Sequence, residues 1–132
     1  MSSTTHQAVT TTDAPAPVGP YNQAVQAGGW LYCSGQIPLD PSSGGMVGAG
    51  DVEAETRQVL RNLKAVLSAA GTDASRVVRT TVYLVDLADF QAVNSLYAEM
   101  FGTGISPARA CVQVAALPKG SKVEIDCIAW LG

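Results

Sequence analysis

Hydrophobic positions along the chain change from a two-residue period to a helical period and back, and these changes define the predicted elements. Residues 21–27 and 30–35 are short β-like runs joined by two glycines, which is typical of a hairpin. The apolar residues of the segment 51–70 recur at helical spacing and predict a helix, with Asp51 in position to cap its start and Gly71 in position to end it. The apolar stripe of this first helix consists of Val52, Val59, Leu60, Leu63, Val66, Leu67 and Ala70.

The second half of the chain alternates in the same way. Residues 76–85 are rich in β-branched side chains and predict a strand, a second helix runs from about residue 86 or 87 to 101, and residues 107–117 and 121–130 predict the last two strands. A turn at residues 117–120 joins these two strands. The strand at 76–85 has apolar residues on both faces, which indicates burial on two sides: Val78, Val82 and Leu84 on one face, and Val77, Tyr83 and Val85 on the other.

The predicted order is β-β-α-β-α-β-β, an α+β fold in one domain covering residues 1–132. Right-handed crossovers place both helices on one face of a single mixed sheet. Residues 1–12 are Ser/Thr-rich and fit either a frayed tail or an edge strand. Two helices cover only one face of the sheet, so we expect the other, partly apolar face to be buried in an oligomer.

Composition excludes several classes of protein. Apolar residues make up 47% and charged residues 14% of the chain, which excludes disorder. The net charge of −3 and an isoelectric point near 4.9 disfavour nucleic acid and anionic membranes as partners. No segment has the apolar length of a membrane span or the pattern of an export signal.

Cysteine and histidine content narrows the chemistry further. Cys33, Cys111 and Cys127 are an odd number without metal-type spacing, which favours a reducing compartment and a cytoplasmic location. The only histidine, His6, lies in the polar N-terminal segment. Histidine-based metal sites, Ser-His and Cys-His nucleophile systems, and two-histidine ribonuclease chemistry are therefore disfavoured.

Two charged residues break the apolar pattern of the last strands. Arg109 stands among small and apolar neighbours, where its permanent charge needs an anion or a set of acceptors. It could bind a substrate carboxylate, reach solvent, or pair with Glu124 or Asp126. Glu124 alternates with apolar residues and is either a functional acid or a solvent-facing carboxylate. If the 117–120 turn pairs the two strands directly, Arg109, Cys111, Gln113 and Glu124 share one face, whereas a one-residue shift moves Glu124 to the other.

Three further residues have two interpretations each. Asn94 interrupts the apolar stripe of the second helix and either bonds a neighbouring backbone or contacts a ligand. Tyr21 follows a rigid proline segment and is either a core aromatic or a phenol directed into a cleft. Cys111 fits a small buried hydrophobe better than a nucleophile, because no histidine or nearby lysine lowers its pKa.

Several ordered motifs resemble the RidA family of reactive intermediate deaminases over roughly residues 8–130. They are GPYNQAV at 19–25, SGQIP at 34–38, PAR at 107–109 and VAALPKG at 114–120, together with Asn62-Leu63, Val93-Asn94 and Glu124-Ile125. Asn22 stands where many members of that family have serine.

The resemblance implies a chorismate-mutase-like fold assembled as a homotrimer with clefts between subunits. It implies hydrolysis of 2-aminoacrylate-type enamine and imine acids to 2-keto acids and ammonia, without metal or organic cofactor. By the same resemblance, Arg109 binds the substrate carboxylate and Glu124 positions or activates water. Tyr21, Ser34, Gly35, Asn94 and the backbone of Cys111 match the rest of the pocket.

Two other functions remain open from the sequence. Members of this family have also been described as single-strand endoribonucleases and translation inhibitors, a function that the acidic composition disfavours. A non-catalytic module that binds small acids, or a holdase, is the third alternative, and ammonia release would distinguish it from the enzyme.

Overall fold

A computed structural model describes residues 5–132, in which six strands and two helices alternate along the chain. The strands are β1 (Gln7–Val9), β2 (Ala24–Ala27), β3 (Trp30–Gln36), β4 (Val77–Leu84), β5 (Ala108–Gln113) and β6 (Val123–Trp130). The helices are α1 (Val52–Ala69) and α2 (Phe90–Phe101). This is the predicted order with an edge strand added, so part of the N-terminal segment takes the second of its two alternatives; residues 1–4 lie outside the described part.

All six strands form one mixed sheet in the order β1-β2-β3-β6-β4-β5. The link between β2 and β3 is the predicted hairpin, with both central glycines in the left-handed region at φ 58° and 84°. β4 and β5 are parallel and adjacent, and α2 connects them. β6 runs antiparallel to both β3 and β4, so these two strands, which α1 connects, are also parallel. The predicted parallel crossovers are therefore confirmed.

The direct pairing of the last two strands is wrong. β4 lies between β5 and β6, so the 117–120 turn joins strands that are not neighbours in the sheet. Residue 124 lies opposite Tyr83 of β4, not opposite Gln113. A short turn favours a hairpin on local grounds, but pairing with two strands lets β6 bury every second side chain at the centre of the sheet.

Helix α1 begins and ends as its sequence predicts. The Asp51 side chain caps the first turn by accepting from the Glu53 and Ala54 amides, and Gly71 follows the last turn at φ 81°. Five of the seven predicted stripe residues are buried, and Val52 and Ala70 are partly buried. Glu55 in the first turn of α1 is fully buried, and its carboxylate accepts from the backbone amides of Gly50 and Lys122 at 2.9 and 2.7 Å.

Helix α2 starts later than predicted. A separate 3-10 turn, Leu87–Asp89, precedes it, and Asp86 caps that turn by accepting from the Ala88 amide. The helix then presents Val93, Leu96, Tyr97 and Phe101 to the core. Neither helix has the length and apolar character needed to cross a membrane, as judged over the residues that the structure describes.

The faces of β4 also differ from the prediction. A register shift against β6 between Val77 and Arg79 leaves Val77 only 3% exposed, on the helix side with Val82 and Leu84. Val78 is turned outward and is 42% exposed. An irregularity of this kind exchanges the inward-facing and outward-facing positions on one side of it. The sequence of this strand has no glycine or proline that would indicate where the irregularity lies.

The core lies between the two helices and one face of the sheet, and the opposite face is open. Core residues from the strands include Leu31, Val82, Leu84, Val123 and Ile125, all at most 2% exposed. Large apolar side chains remain exposed on the strands beyond this core, namely Trp30, Tyr32, Val78, Val112 and Trp130. The expectation that two helices leave a partly apolar sheet face uncovered is confirmed for the single chain.

Candidate active site

Glu124 lies on β6 in close contact with β3. Its Cα partner is Tyr83, which places it on the open face of the sheet between the buried Val123 and Ile125. Gly35 of β3 lies against the Glu124 side chain, and any Cβ at position 35 would collide with the Glu124 carboxylate. The glycine therefore creates the space that the acid occupies.

The surroundings of Glu124 make its carboxyl group a weaker acid than an ordinary glutamate side chain. Burial raises its pKa above the ordinary value, and the nearby Asp126 carboxylate adds to the effect. Asp126 itself accepts a hydrogen bond from the Tyr83 hydroxyl at 3.0 Å. A carboxyl group with a raised pKa is suited to both taking and returning a proton near neutral pH.

A cavity of about 370 Å³ opens in front of Glu124. Its walls are mostly apolar and come from the proline segment, from β3 with the loop after it, and from the 117–120 turn. The residues that line it are Pro15, Ala16, Val18, Tyr21, Gln23, Ser34, Gly35, Gln36, Ile37, Leu39, Pro118 and Glu124. Of the predicted pocket, Tyr21, Ser34, Gly35 and Glu124 meet here.

Ser34 and Tyr21 are held in this cavity by backbone contacts. The Ser34 hydroxyl donates to the Asn22 carbonyl at 2.6 Å, and the Ser34 amide donates to the Gln23 carbonyl at 3.0 Å. The pairing between β3 and β6 is irregular between Cys33 and Gln36, which leaves room for this arrangement. Tyr21 is 47% exposed and its hydroxyl accepts from the Val18 amide, so it borders the cavity and is not a core aromatic.

Arg109 lies on β5 and turns toward α2, on the helix side of the sheet. Its guanidinium donates to the Asn94 side-chain oxygen at 2.7 Å and stacks on the rings of Tyr97 and Phe90, at 4.7 and 5.5 Å from their centroids. Tyr97 is fixed in turn by a buried 2.7 Å hydrogen bond with the Thr80 hydroxyl. The cation is thus oriented by one amide and two rings, while other N–H donors remain available to an anion.

No carboxylate of residues 5–132 forms an ion pair with Arg109. The alternative in which it pairs with Glu124 or Asp126 is therefore excluded within the chain, because β4 separates the strands that carry them. Asn94 contacts the Arg109 side chain in place of a neighbouring backbone. The guanidinium is exposed and keeps the capacity for a bidentate bond with a carboxylate.

Cys111 follows Arg109 by two residues and lies on the same face of β5. Burial raises the pKa of its thiol, and the Arg109 charge opposes this only in part. A protonated thiol is a poor nucleophile, which agrees with the interpretation of Cys111 as a small apolar side chain.

The candidate residues form two half-sites on opposite faces of the sheet. Glu124, Gly35, Ser34 and Tyr21 belong to the open-face half, and Arg109, Asn94 and Cys111 to the β5 half. The conditional prediction that Arg109 and Glu124 share one face is wrong, because Arg109 pairs with Thr80 and Glu124 pairs with Tyr83, and these two residues of β4 lie on opposite faces of the sheet. Two strand spacings, about 10 Å, also separate them laterally. One chain alone does not bring both groups to one small substrate.

Two residues near these half-sites were not predicted. Tyr97 stacks against the Arg109 guanidinium, and Gln23 has a nearly fully buried side-chain amide at the wall of the cavity. Tyr97 lies in the apolar stripe of α2, and the sequence pattern does not distinguish an aromatic residue of the core from one that stacks on a cation. Gln23 could have been noticed as a polar residue in an otherwise β-like run.

A larger cavity, of about 680 Å³, lies elsewhere, between α1 and α2 on the side away from the sheet. Its walls carry Arg57, Arg61 and Lys64, and none of the predicted site residues lines it. Across the part of the chain that the structure describes, no cluster of three or more His, Cys, Asp or Glu side chains is placed to hold a metal ion.

A six-stranded mixed sheet with two helices on one face, carrying an oriented arginine and a carboxyl of raised pKa, defines a small α+β protein with a cation and an acid in two separate half-sites. The chain belongs to the RidA/YjgF family: the family profile described as Endoribonuclease L-PSP matches residues 11–131.

The chain resembles a mouse protein named 2-iminobutanoate/2-iminopropanoate deaminase, with 54% identity over 132 residues, covering 100% of this chain and 96% of the mouse protein. It also resembles a RutC family protein of Synechocystis, with 53% identity over 127 residues, covering 96% and 98% of the two chains. The crystal structure of a Rid family protein of unknown function from Yersinia pestis superposes with a TM-score of 0.92 at 45% identity, covering 96% of this chain and 99% of that one.

Proposed function

We propose that this protein is a cofactor-independent hydrolase that converts reactive 2-imino and 2-enamino acids to 2-keto acids and ammonia, acting as a homotrimer. The observation that carries the proposal is the pair of half-sites, an oriented arginine with no carboxylate partner among residues 5–132 and a carboxyl of raised pKa facing a small cavity. The name of the mouse relative, an imine deaminase, supports the same reaction.

In the proposed trimer, the β5 half-site of one subunit faces the open-face half-site of the next. The uncovered sheet face, with Tyr32, Val112 and Trp130 exposed on its strands, supports burial between copies of this chain. Each cleft then takes Arg109 from one subunit and Glu124 from its neighbour. This arrangement would bring together two groups that a single chain keeps apart.

The reaction follows from these two groups. An enamine acid first takes a proton at carbon and becomes the imine, whose C2 is open to water. Arg109 holds the carboxylate in two parallel hydrogen bonds and so fixes C2 beside the water molecule. Glu124 takes a proton from that water as the C–O bond forms and returns it to the imine nitrogen, which gives a carbinolamine. It then takes the proton of the new hydroxyl group and passes it to the amine nitrogen as the C–N bond breaks, which releases the keto acid and ammonia. One imine and one water yield one keto acid and one ammonia.

The partners in this proposal are small carboxylate-bearing imines, enamines and their keto-acid products. The three cysteines are free thiols, which supports a reducing compartment such as the cytoplasm. RNA is a poorer candidate substrate, because the net charge is −3 and the single histidine, His6, lies exposed on the N-terminal segment outside the cavity.

The reaction is tested by supplying imines continuously from amino acids with an amino-acid oxidase and measuring keto-acid release with and without the protein. Acceleration of release is expected, and a rate equal to the protein-free rate would overturn the proposal. RNA cleavage that persists in both the Arg109→Ala and the Glu124→Gln variants would show that any ribonuclease activity has another source.

The shared site is tested by mixing inactive chains. Trimers assembled from equal amounts of Arg109→Ala and Glu124→Gln chains contain intact clefts wherever the two kinds of subunit meet in the right order. Random assembly restores about one quarter of the sites. If both residues acted within one subunit, mixing would restore nothing, and the trimeric site would be rejected.

A further inference from the structure

The proline segment that forms one wall of the cavity has an unusual hydrogen-bonding problem. Pro15, Pro17 and Pro20 have no backbone N–H, so the segment cannot pair with a neighbouring strand as an ordinary edge does. Its carbonyl groups still need donors where they are buried, and Ala14 and Pro15 are both buried. Some other group must fix this wall.

The side chain of Gln23 supplies the missing partners. Its amide nitrogen lies 2.8 Å from the Pro15 carbonyl, 3.1 Å from the Ala14 carbonyl and 2.9 Å from the Thr11 carbonyl. Its amide oxygen accepts from the Thr11 N–H at 2.7 Å. Gln23 is only 2% exposed, so these bonds are shielded from water.

The backbone of the same residue connects the wall to the opposite side of the cavity. The Gln23 carbonyl accepts from the Ser34 amide at 3.0 Å, and Ser34 precedes Gly35, which contacts Glu124. One residue therefore links the proline wall through its side chain and β3 through its main chain. The separation between the two sides of the cavity depends on this link.

We propose that Gln23 is a positioning residue of the active site, whose carboxamide fixes the Pro15–Val18 wall relative to Glu124. It acts through the wall and through Ser34, and has no part in the proton transfers. The inference rests on the proposed function, because it assigns Gln23 a role in that reaction.

Only a carboxamide meets all of these requirements. Glutamate at position 23 accepts from Thr11 but, when ionised, cannot donate to the Ala14 and Pro15 carbonyls. Methionine has nearly the same length, cannot donate a hydrogen bond and accepts only weakly, so it removes the bonds with little change of volume. These two variants separate the loss of the donated bonds from the loss of all of them.

The test compares Gln23→Met with Gln26→Met, the same substitution three residues later in the chain, on β2 and outside the cavity. Gln23→Met is expected to lower kcat by about 10- to 100-fold, since a displacement of about 1 Å can cost that much. KM should change by less than about threefold, because the carboxylate anchor, Arg109, lies in the other half-site. Gln26→Met should leave both constants unchanged, and circular dichroism and oligomeric mass should be the same for all chains.

Equal kcat values for folded Gln23→Met and Gln26→Met would overturn the inference, as would a loss confined to thermal stability. If Gln23→Met does not fold, Gln23→Glu takes its place with the same expectations. Hydrogen exchange on the wild type adds an independent measurement: the Thr11 amide should be protected, and exchange at the unprotected rate would also refute the inference. A wild type without deaminase activity would instead refute the proposed function.

Discussion

Replacing Arg109 by alanine removes the proposed carboxylate anchor and leaves the rest of the β5 half-site in place. In the single chain the guanidinium has one hydrogen bond, to Asn94, and no ion pair with any residue from 5 to 132. A charge-assisted hydrogen bond contributes about 1.5–3 kcal/mol, so a pair contributes about 3–6 kcal/mol. We therefore expect kcat/KM to fall by roughly 10²- to 10⁴-fold.

The assay is keto-acid release from an imine that an amino-acid oxidase generates in the same vessel. Arg57→Ala is the matched control, because Arg57 is an exposed arginine on α1 that lies in the other cavity. Arg109→Lys keeps the charge without the fork and should lose activity to an intermediate degree. If Arg109→Ala has the turnover of Arg57→Ala at unchanged oligomeric mass, the carboxylate is bound elsewhere and the reasoning fails.

Three further predictions concern the open-face half-site and the face around it. Glu124→Gln should lower kcat more than it weakens keto-acid binding. The same substitution should raise the melting temperature at about pH 8, because the raised pKa of Glu124 means that its ionised form destabilises the folded chain. This gain in melting temperature should shrink as the pH falls through the raised pKa toward the ordinary value of 4.5. Thermal melts across this pH range check the sign, and a gain independent of pH would contradict it. Gly35→Ala should lower activity by about tenfold or more, because the new methyl group displaces the Glu124 carboxylate, whereas Gly45→Ala in an exposed loop should not. Val112→Lys places a charge on an exposed apolar position of β5 and should shift the mass in light scattering from trimer toward monomer; an unchanged mass would place the interface elsewhere.

The elements could be predicted because local signals agree with the fold. α1 has a capping aspartate, a continuous apolar stripe and a terminal glycine, and each of these acts within a few residues of the position it defines. The hairpin of β2 and β3 likewise needs only its two glycines. The crossovers follow from the handedness of β-α-β units, which is nearly invariant.

The sheet order could not be derived in the same way. The pairing of β6 with β3 and β4 depends on contacts between residues far apart in the sequence, and a short turn at 117–120 favours the wrong neighbour. The irregular pairing at Val77 and the burial of Glu55 are also tertiary effects. Each of these features depends on which distant residues pack against the position, and the local sequence pattern does not specify them.

The sequence pattern identifies Tyr21, Asn94, Arg109, Cys111 and Glu124 as candidate residues, and the resemblance to a family adds Ser34 and Gly35; neither predicts their geometry. The motifs identify Tyr21, Ser34, Gly35, Asn94, Arg109, Cys111 and Glu124 as a set. They do not reveal that the registers of β5 and β6 against β4 place the set on two faces of the sheet. A motif records which residues are needed together, whereas the fold of one chain determines only where each of them lies.

The position of β6 has a consequence for how the protein is made. β6, which lies in the sheet between β3 and β4, leaves the ribosome after both of these strands. Until β6 emerges, β3 and β4 each have an edge with unpaired backbone N–H and C=O groups. These edges can pair with strands of other chains and so promote aggregation. Loss of β6 should therefore damage the whole sheet, whereas loss of the edge strand β1 should not.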